Sequence, residues 1–124
     1  MRASEIIDYV DTVEPNQFDA EIKLNWLREL DQKVYEGLVL THEAPIAENW
    51  QPLQEIGEEL LIPEPYAREV YEFHLRMKIA ASNLEDVRYN QHSLLFNRAW
   101  SEFERWYIRT HRALPPRGGN RFRL

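Results

Sequence analysis

Apolar residues recur every three or four positions in four stretches of the chain, which is the spacing of one face of an α-helix. The first stretch contains Ile6, Val10 and Val13. Ser4 is the predicted N-cap, because its hydroxyl can accept a hydrogen bond from a free amide of the first turn. Pro15 ends the helix, since it lacks an amide hydrogen and disfavours helical geometry at the residue before it.

A second helix is predicted from about Gln17 to Leu38. Its apolar positions follow at steps of four with one neighbour beside them: Ile22, Trp26, Leu30, Val34, Leu38 and Leu27. Charged residues are assigned to the opposite, solvated face: Glu21, Lys23, Arg28, Glu29, Asp31 and Lys33. Gly37 weakens the end of this helix.

Two further helices are predicted in the second half of the chain. The third starts near Pro65 and has the apolar stripe Tyr66, Val70, Phe73, Met77, Ala80 or Ala81, and Leu84. The fourth covers about Asn90 to His111, with the stripe Phe96, Trp100, Phe103 and Tyr107, widened by Leu95, Ala99 and Trp106. The polar residues 85–90 fit either a turn or a continuation of helix.

Residues 39–65 have a different pattern, because four prolines interrupt any long helix. Two short apolar runs, 39–41 and 60–62, are the candidates for a short β-hairpin. Trp50 and Ile56 are the predicted apolar anchors of this loop. We therefore expect a mainly α fold: a small four-helix bundle-like domain over residues 1–111, a long loop between its second and third helices, and an extended tail over residues 112–124.

Charge divides the chain unevenly. The net formal charge is −6, yet the last sixteen residues hold five arginines and no acid, so residues 1–108 carry −11. A basic, Pro- and Gly-containing end on an acidic body is typical of assembly proteins whose tail contacts a partner. The tail residues Arg112, Arg117, Arg121, Phe122 and Arg123 are accordingly predicted to bind a partner. Trp50 of the long loop and Trp106 join them. Trp106 belongs with Trp100 and Tyr107 to a set of aromatic residues that exceeds what one small core needs, and aromatic residues are enriched at interfaces.

Catalytic and metal-binding motifs are not found in the sequence. There is no cysteine, and none of the four histidines belongs to a His-Glu-x-x-His motif. There is no Gly-x-Ser-x-Gly, and the one glycine pair, Gly118-Gly119, has no strand before it. The acids of residues 55–72 fit a solvated surface better than a glycosidase pair. We therefore expect no enzyme, no metal and no cofactor. The sequence also lacks an apolar run long enough for a membrane span or a signal peptide, which favours an intracellular protein.

Several segments together resemble a known family. They are 1–11 (MRASEIIDYVD), Pro15-Asn16, 23–27 (KLNWL), 60–66 (LLIPEPY), Arg88-Tyr89-Asn90, Phe96-Asn97 and 106–111 (WYIRTH). Their order is similar to that in the head–tail connector, or head-completion adaptor, proteins of tailed phages and prophages of Gram-positive bacteria. The resemblance extends to about His111, and the basic ending beyond it is longer than in those proteins.

The resemblance implies a structural role in the virion, with assembly in the host cytoplasm. Connectors form a ring of about a dozen copies beneath the portal protein and extend the DNA channel toward the next head-completion or tail component. DNA passes through without sequence-specific binding, and no catalytic residues carry over. An acidic body suits such a wall, because carboxylates repel phosphates.

Two other functions compete with the connector role. A small helical DNA-binding phage protein, either a regulator or a packaging factor, would use its helices and the basic tail, although the second and fourth helices are mixed in charge. A small hydrolase would need convergent groups in a cleft, which no spacing in this chain requires.

Overall fold

The structure is a computed structural model that describes residues 1–43 and 50–115 of the 124-residue chain. Its helices are α1 (Ala3–Val13), α2 (Ala20–Val34), α3 (Ala67–Ser82) and α4 (Asp86–Thr110), and a π-helical turn (Tyr35–Val39) extends α2. The predicted mainly α, four-helix bundle-like fold is confirmed. No strand occurs in these two ranges, where extended pairing is limited to the isolated bridges Arg2–Glu59 and His42–Ala113.

The predicted β-hairpin is wrong for the residues that were to form it. Val39 ends the π-helical turn instead of starting a strand. The amides of Leu61 and Ile62 donate to side chains, the Asp31 carboxylate and the Tyr71 hydroxyl, at 3.1 and 2.8 Å. Because these amides are already satisfied by the helices, this segment needs no strand partner.

Helix α1 begins earlier than its predicted cap. Arg2 is the N-cap, and Ser4 lies within the first turn. The Glu5 carboxylate accepts from the Arg2 amide at 2.7 Å. The amides of Ala3 and Ser4 donate to the backbone carbonyls of residues 58 and 56 at 3.0 and 2.7 Å. Backbone from the distant 56–60 segment thus satisfies the free amides that a Ser4 hydroxyl was expected to cap.

Helix α2 begins at Ala20 rather than Gln17, because Asp19 caps it by accepting from the Ile22 amide at 3.0 Å. Its buried face is rotated from the predicted one. Ile22 is 41% exposed, whereas Lys23 and Asp31, expected on the solvated face, are 2% and 0% exposed. Each of these two has a fixed partner: Lys23 Nζ lies 2.5 Å from Asp11 Oδ1, and Asp31 is bonded to Tyr71. Specific partners therefore compensate the cost of burying their charges.

Helix α3 is the central element and packs against each of the other three helices. It begins at Ala67, two residues after Pro65, because the amides of residues 66 and 67 both donate to the Pro63 carbonyl. At its other end Leu84, assigned to the apolar stripe, is 85% exposed. Leu84 adopts a φ of 56° just after the helix, and this left-handed residue turns the chain into α4.

Helix α4 resolves the ambiguity of residues 85–90, since it starts at Asp86 and the Tyr89 amide donates to the Glu85 carbonyl at 2.9 Å. Its 25 residues span about 37 Å at 1.5 Å per residue. It packs along α3 and touches the π-helical turn. Helix α4 is therefore an edge helix with one long side turned outward.

The long connection is anchored by residues other than those expected. Leu53, Leu60 and Ile62 are 3%, 6% and 0% exposed, whereas Ile56 is 39% exposed. Trp50 is half-buried and stacks on Tyr35, with ring centroids 4.5 Å apart. The predicted anchoring by Trp50 is thus a contact with the π-helical turn, and the deep anchors are aliphatic.

The chain beyond α4 pairs with the end of the π-helical turn. The Glu43 amide donates to the Arg112 carbonyl at 2.9 Å, and the Leu114 amide donates to the Thr41 carbonyl at 2.8 Å. Residues 112–114, which the sequence assigns to the tail, are therefore tied to the helical body.

Candidate functional site

The seven residues predicted to bind a partner do not form one site. Arg117, Arg121, Phe122 and Arg123 lie outside the described residues. Trp106 packs against Tyr66 and His111, with ring centroids 5.2 and 5.7 Å away. Arg112 is exposed at the same end of the molecule, while Trp50 lies on Tyr35.

A face of α4 that the sequence did not single out is the most unusual surface of the described chain. Val87, Leu94 and Ile108 are 73%, 68% and 52% exposed. They follow at seven-residue multiples, so they lie on one side of the helix, opposite the buried Phe103 and Tyr107. The expected core stripe of α4 is confirmed, because Ala99 is buried as well and Phe96, Trp100 and Trp106 pack against the core. The opposite side carries large apolar groups in water.

Arginines share that outer face of α4. Arg98 and Arg105 are seven residues apart, and Arg109 follows four residues later; all three are exposed. None of the three makes an ion pair within residues 1–43 and 50–115. We call the surface formed by Val87, Leu94, Arg98, Arg105, Ile108 and Arg109 the outer face of α4. The seven-residue spacing of these residues is visible in the sequence, but the aromatic stripe of the same helix is the stronger periodic signal.

An acidic surface lies around the start of α1. It is formed by Glu5, Glu55, Glu58, Glu59 and Glu64, all exposed. The 56–60 segment meets the first turn of α1 through its carbonyls, and Arg2 Nε lies 3.7 Å from Glu59 Oε1. Glu58 accepts from the amides of residues 54 and 55, and these bonds lower the pKa of its carboxyl. We call the surface formed by these five glutamates the acidic surface.

The start of α3 separates these two surfaces. On one side the Arg68 guanidinium lies 4.1 Å from the centroid of the Tyr9 ring in α1. On the other side Tyr66 packs against Phe103 and Trp106 of α4, at 6.0 and 5.2 Å. Because α1 and α4 flank α3 here, the acidic surface at the start of α1 and the outer face of α4 lie on opposite sides of α3.

Buried polar groups form networks that hold the helices together. Arg76 of α3 bonds Glu14 and Glu72 at 3.0 and 2.9 Å. His92 of α4 approaches Glu14 at 3.4 Å without a hydrogen bond, and burial, followed by the nearby Arg76 charge, lowers its pKa. The His92 ring also packs beside the Phe73 ring, with centroids 6.3 Å apart.

A groove of about 710 Å³ runs between α2, α3 and α4. Charged residues of both signs line it, including Glu29, Lys33 and Lys78, and Phe96 and Trp100 form its apolar wall. Lys78 approaches Glu29 at 3.9 Å, so opposite charges within the groove offset one another. His74, which also lines it, donates its Nε2 hydrogen to the Trp26 carbonyl at 2.8 Å.

Metal ligation and membrane insertion find no support in the described ranges. Residues 1–43 and 50–115 contain no group of three or more His, Asp or Glu side chains placed to hold a metal ion. Within the same ranges, every helix is too short or too polar to cross a bilayer.

Comparisons with known proteins return no relative of this chain. No family model matches it, and neither curated proteins nor solved structures show a match.

Proposed function

We propose that this protein is a structural virion assembly protein, a head–tail connector that forms a ring beneath the portal and extends the DNA channel. The observation that carries the proposal is the outer face of α4. A monomer gains nothing from exposing Val87, Leu94 and Ile108 along one side of its longest helix. These residues lie along one side of the helix among exposed arginines, and apolar side chains bordered by charge are typical of protein–protein contact surfaces.

Ring formation requires more than one interaction surface on each copy. Repeated head-to-tail contacts close into a ring only when each copy has two different, complementary surfaces. The acidic surface and the outer face of α4 are of opposite charge and lie on opposite sides of α3. This arrangement supports cyclic assembly over a two-fold dimer.

The net charge supports a channel that does not retain DNA. Residues 1–108 carry −11, and phosphates would be repelled from a wall with that charge. The proposed partners are further copies of the chain, about a dozen per ring, the portal protein, and the next head-completion or tail component. Its proposed location is the virion, after assembly in the host cytoplasm, and the role requires no catalytic residue or cofactor.

The native mass of the purified protein across a concentration series, together with negative-stain images of the largest species, tests this function. We expect closed rings of about a dozen subunits with a central hole. Open filaments, two-fold dimers or a monomer at every concentration would each contradict a self-assembling ring.

A small helical DNA-binding protein is the second candidate, and one observation favours it. The arginines at 98, 105 and 109 give α4 an exposed basic side, although the helix as a whole is mixed in charge. Such a side could contact a phosphate backbone. A gel shift with any duplex that weakens steeply with salt would support this candidate.

A further inference from the structure

We propose that the outer face of α4 in one copy binds the acidic surface of the next copy, so that these two surfaces form the subunit contact. This inference rests on the proposed assembly function and adds to it the identity and polarity of the interface. The occupant of the α4 face is thus a second copy of this chain, in a head-to-tail arrangement.

Charge complementarity identifies the occupant. Arg98, Arg105 and Arg109 are exposed and make no ion pair within the described ranges. On the other side of α3, Glu55, Glu58 and Glu64 are likewise exposed without an ion pair in those ranges. Arg2 lies beside the acidic surface and Glu102 lies on α4, but exposed acids outnumber bases on the first surface and exposed arginines predominate on the second. Complementary potentials of this kind select register and partner at an interface.

The apolar residues also correspond. Leu94 and Ile108 flank the arginines on α4 and are 68% and 52% exposed. Ile56 lies within the acidic surface and is 39% exposed, and its carbonyl already accepts from the Ser4 amide. Contact between Ile56 and the α4 leucine or isoleucine would remove apolar area from water on both sides, which is the main favourable term in association.

The location of the surfaces fixes the contact as head-to-tail. Tyr66 and Arg68 begin α3 and face α4 and α1, respectively. A copy cannot bring its own acidic surface onto its own α4 face, because α3 stands between them. Satisfying both surfaces therefore requires two neighbours, one on each side, which propagates a chain of copies that can close into a ring.

Charge reversal tests the contact directly. Variant A carries Arg98→Glu and Arg105→Glu, and variant B carries Glu58→Lys and Glu64→Lys. Each alone places like charges across every contact, so its association constant should fall by more than about tenfold relative to the unchanged chain. Mixed in equal amounts, A and B should assemble in alternation, because the acidic α4 of A meets the basic surface of B while B's own α4 meets A's acidic surface. A chain with all four substitutions should also assemble.

Disulfide trapping detects the contact even when association is weak. The chain has no cysteine, so Ser101→Cys on the outer face of α4 and Glu55→Cys on the acidic surface introduce unique thiols. Oxidation of the two variants mixed together should give the mixed disulfide, whereas either variant alone should stay uncrosslinked. Dimers from Ser101→Cys alone would overturn the inference, because they would show that two α4 faces pack on each other.

The outcomes separate the interface from the function. Rings that persist in A and in B leave the connector function standing and overturn this interface. Rescue by mixing, with filaments or short oligomers in place of rings, supports the interface and contradicts the connector function. Absence of both the mixed disulfide and any self-association at low salt overturns the interface as stated.

Discussion

Asp31 is a buried carboxylate at the point where α2, α3 and the 60–62 segment meet. Its two oxygens accept from the Tyr71 hydroxyl and from the Leu61 amide, and Tyr71 in turn accepts from the Ile62 amide. Burial raises the pKa of Asp31 to about 6, although both hydrogen bonds oppose that rise. Between pH 3.8 and about 6, the Asp31 carboxyl is protonated in the folded state but ionised in the unfolded state. The free energy of unfolding therefore decreases as pH rises through this window.

Substituting Tyr71→Phe should destabilise the protein more at neutral than at acidic pH. The change leaves the Ile62 amide unsatisfied, at a cost of about 1–3 kcal/mol. It also removes a hydrogen bond that lowers the Asp31 pKa, so the buried charge becomes costlier above pH 6. The free energy of unfolding by urea at pH 5 and pH 7.5 measures both effects. Tyr66→Phe is the matched control, and an equal loss at the two pH values would refute the coupling to Asp31.

His74 acts in the opposite direction. Burial lowers its pKa from 6.5 to about 4, so the unfolded chain takes up a proton before the folded one does. Stability is then lost as pH falls from 6.5 toward 4, by roughly 3 kcal/mol if the full shift is expressed.

Replacing His74 with Gln should flatten that acid-side loss while keeping a donor toward the Trp26 carbonyl. Denaturant unfolding of both proteins at pH 6.5 and pH 4.5 is the measurement. A direct check is an NMR titration of the His74 ring, whose midpoint should lie at about 4. A midpoint near that of a free imidazole would contradict the burial argument.

At the scale of the elements, the composition of the 50–62 segment does not indicate which of its residues pack into the core. Arg28 Nε donates to the Leu53 carbonyl at 2.6 Å and thereby holds this turn of chain against α2. Leu53 itself is 3% exposed, whereas Ile56, three residues later, is 39% exposed. Both are apolar residues in a proline-rich stretch, and only one reaches the core.

Leu53→Ala should therefore cost about 2–5 kcal/mol of unfolding free energy, the range for truncating a buried leucine side chain to alanine. Ile56→Ala in the same segment should cost less, roughly 1 kcal/mol, because its side chain is 39% exposed and leaves no enclosed cavity when removed. Thermal or urea unfolding of the two variants gives the comparison. A larger loss for Ile56 would mean that the anchors are those expected from the sequence.

At the scale of the whole molecule, the basic tail sequence and the outer face of α4 are the two candidate basic elements. The proposed subunit contact uses the second. Neutralising Arg117, Arg121 and Arg123 to alanine should then leave the self-association constant of free copies within about twofold, because the proposed contact does not include these residues. The tail is instead proposed to bind the portal protein or another partner, and the same variant should weaken that binding.

Sedimentation equilibrium of this triple variant, beside the Arg98→Glu, Arg105→Glu variant, makes the distinction. Loss of self-association in the tail variant would assign the neighbour contact to the tail. If the association constant is unchanged in both variants, these charges do not contribute to the subunit interface.

The helices were predictable because their signal is local. Periodicity identified all four, and it correctly placed Val10, Leu27, Val34, Val70 and Phe103 in the core. The residues that bind across the fold were not predictable in the same way. Lys23 and Asp31 have the composition of a solvated face, and their burial depends on Asp11 and Tyr71, the latter forty residues away in sequence.

The sequence by itself determined the helical class, the number of helices and the uneven charge, since each follows from spacing or counting. Only the tertiary structure decided which polar groups are buried, where the 50–62 segment anchors and which side of α4 is left uncovered. The apolar pattern of a helix predicts which side is buried against other elements, but tertiary packing decides how many elements cover it. For α4, α3 covers one side, and the leucine and arginines opposite remain exposed.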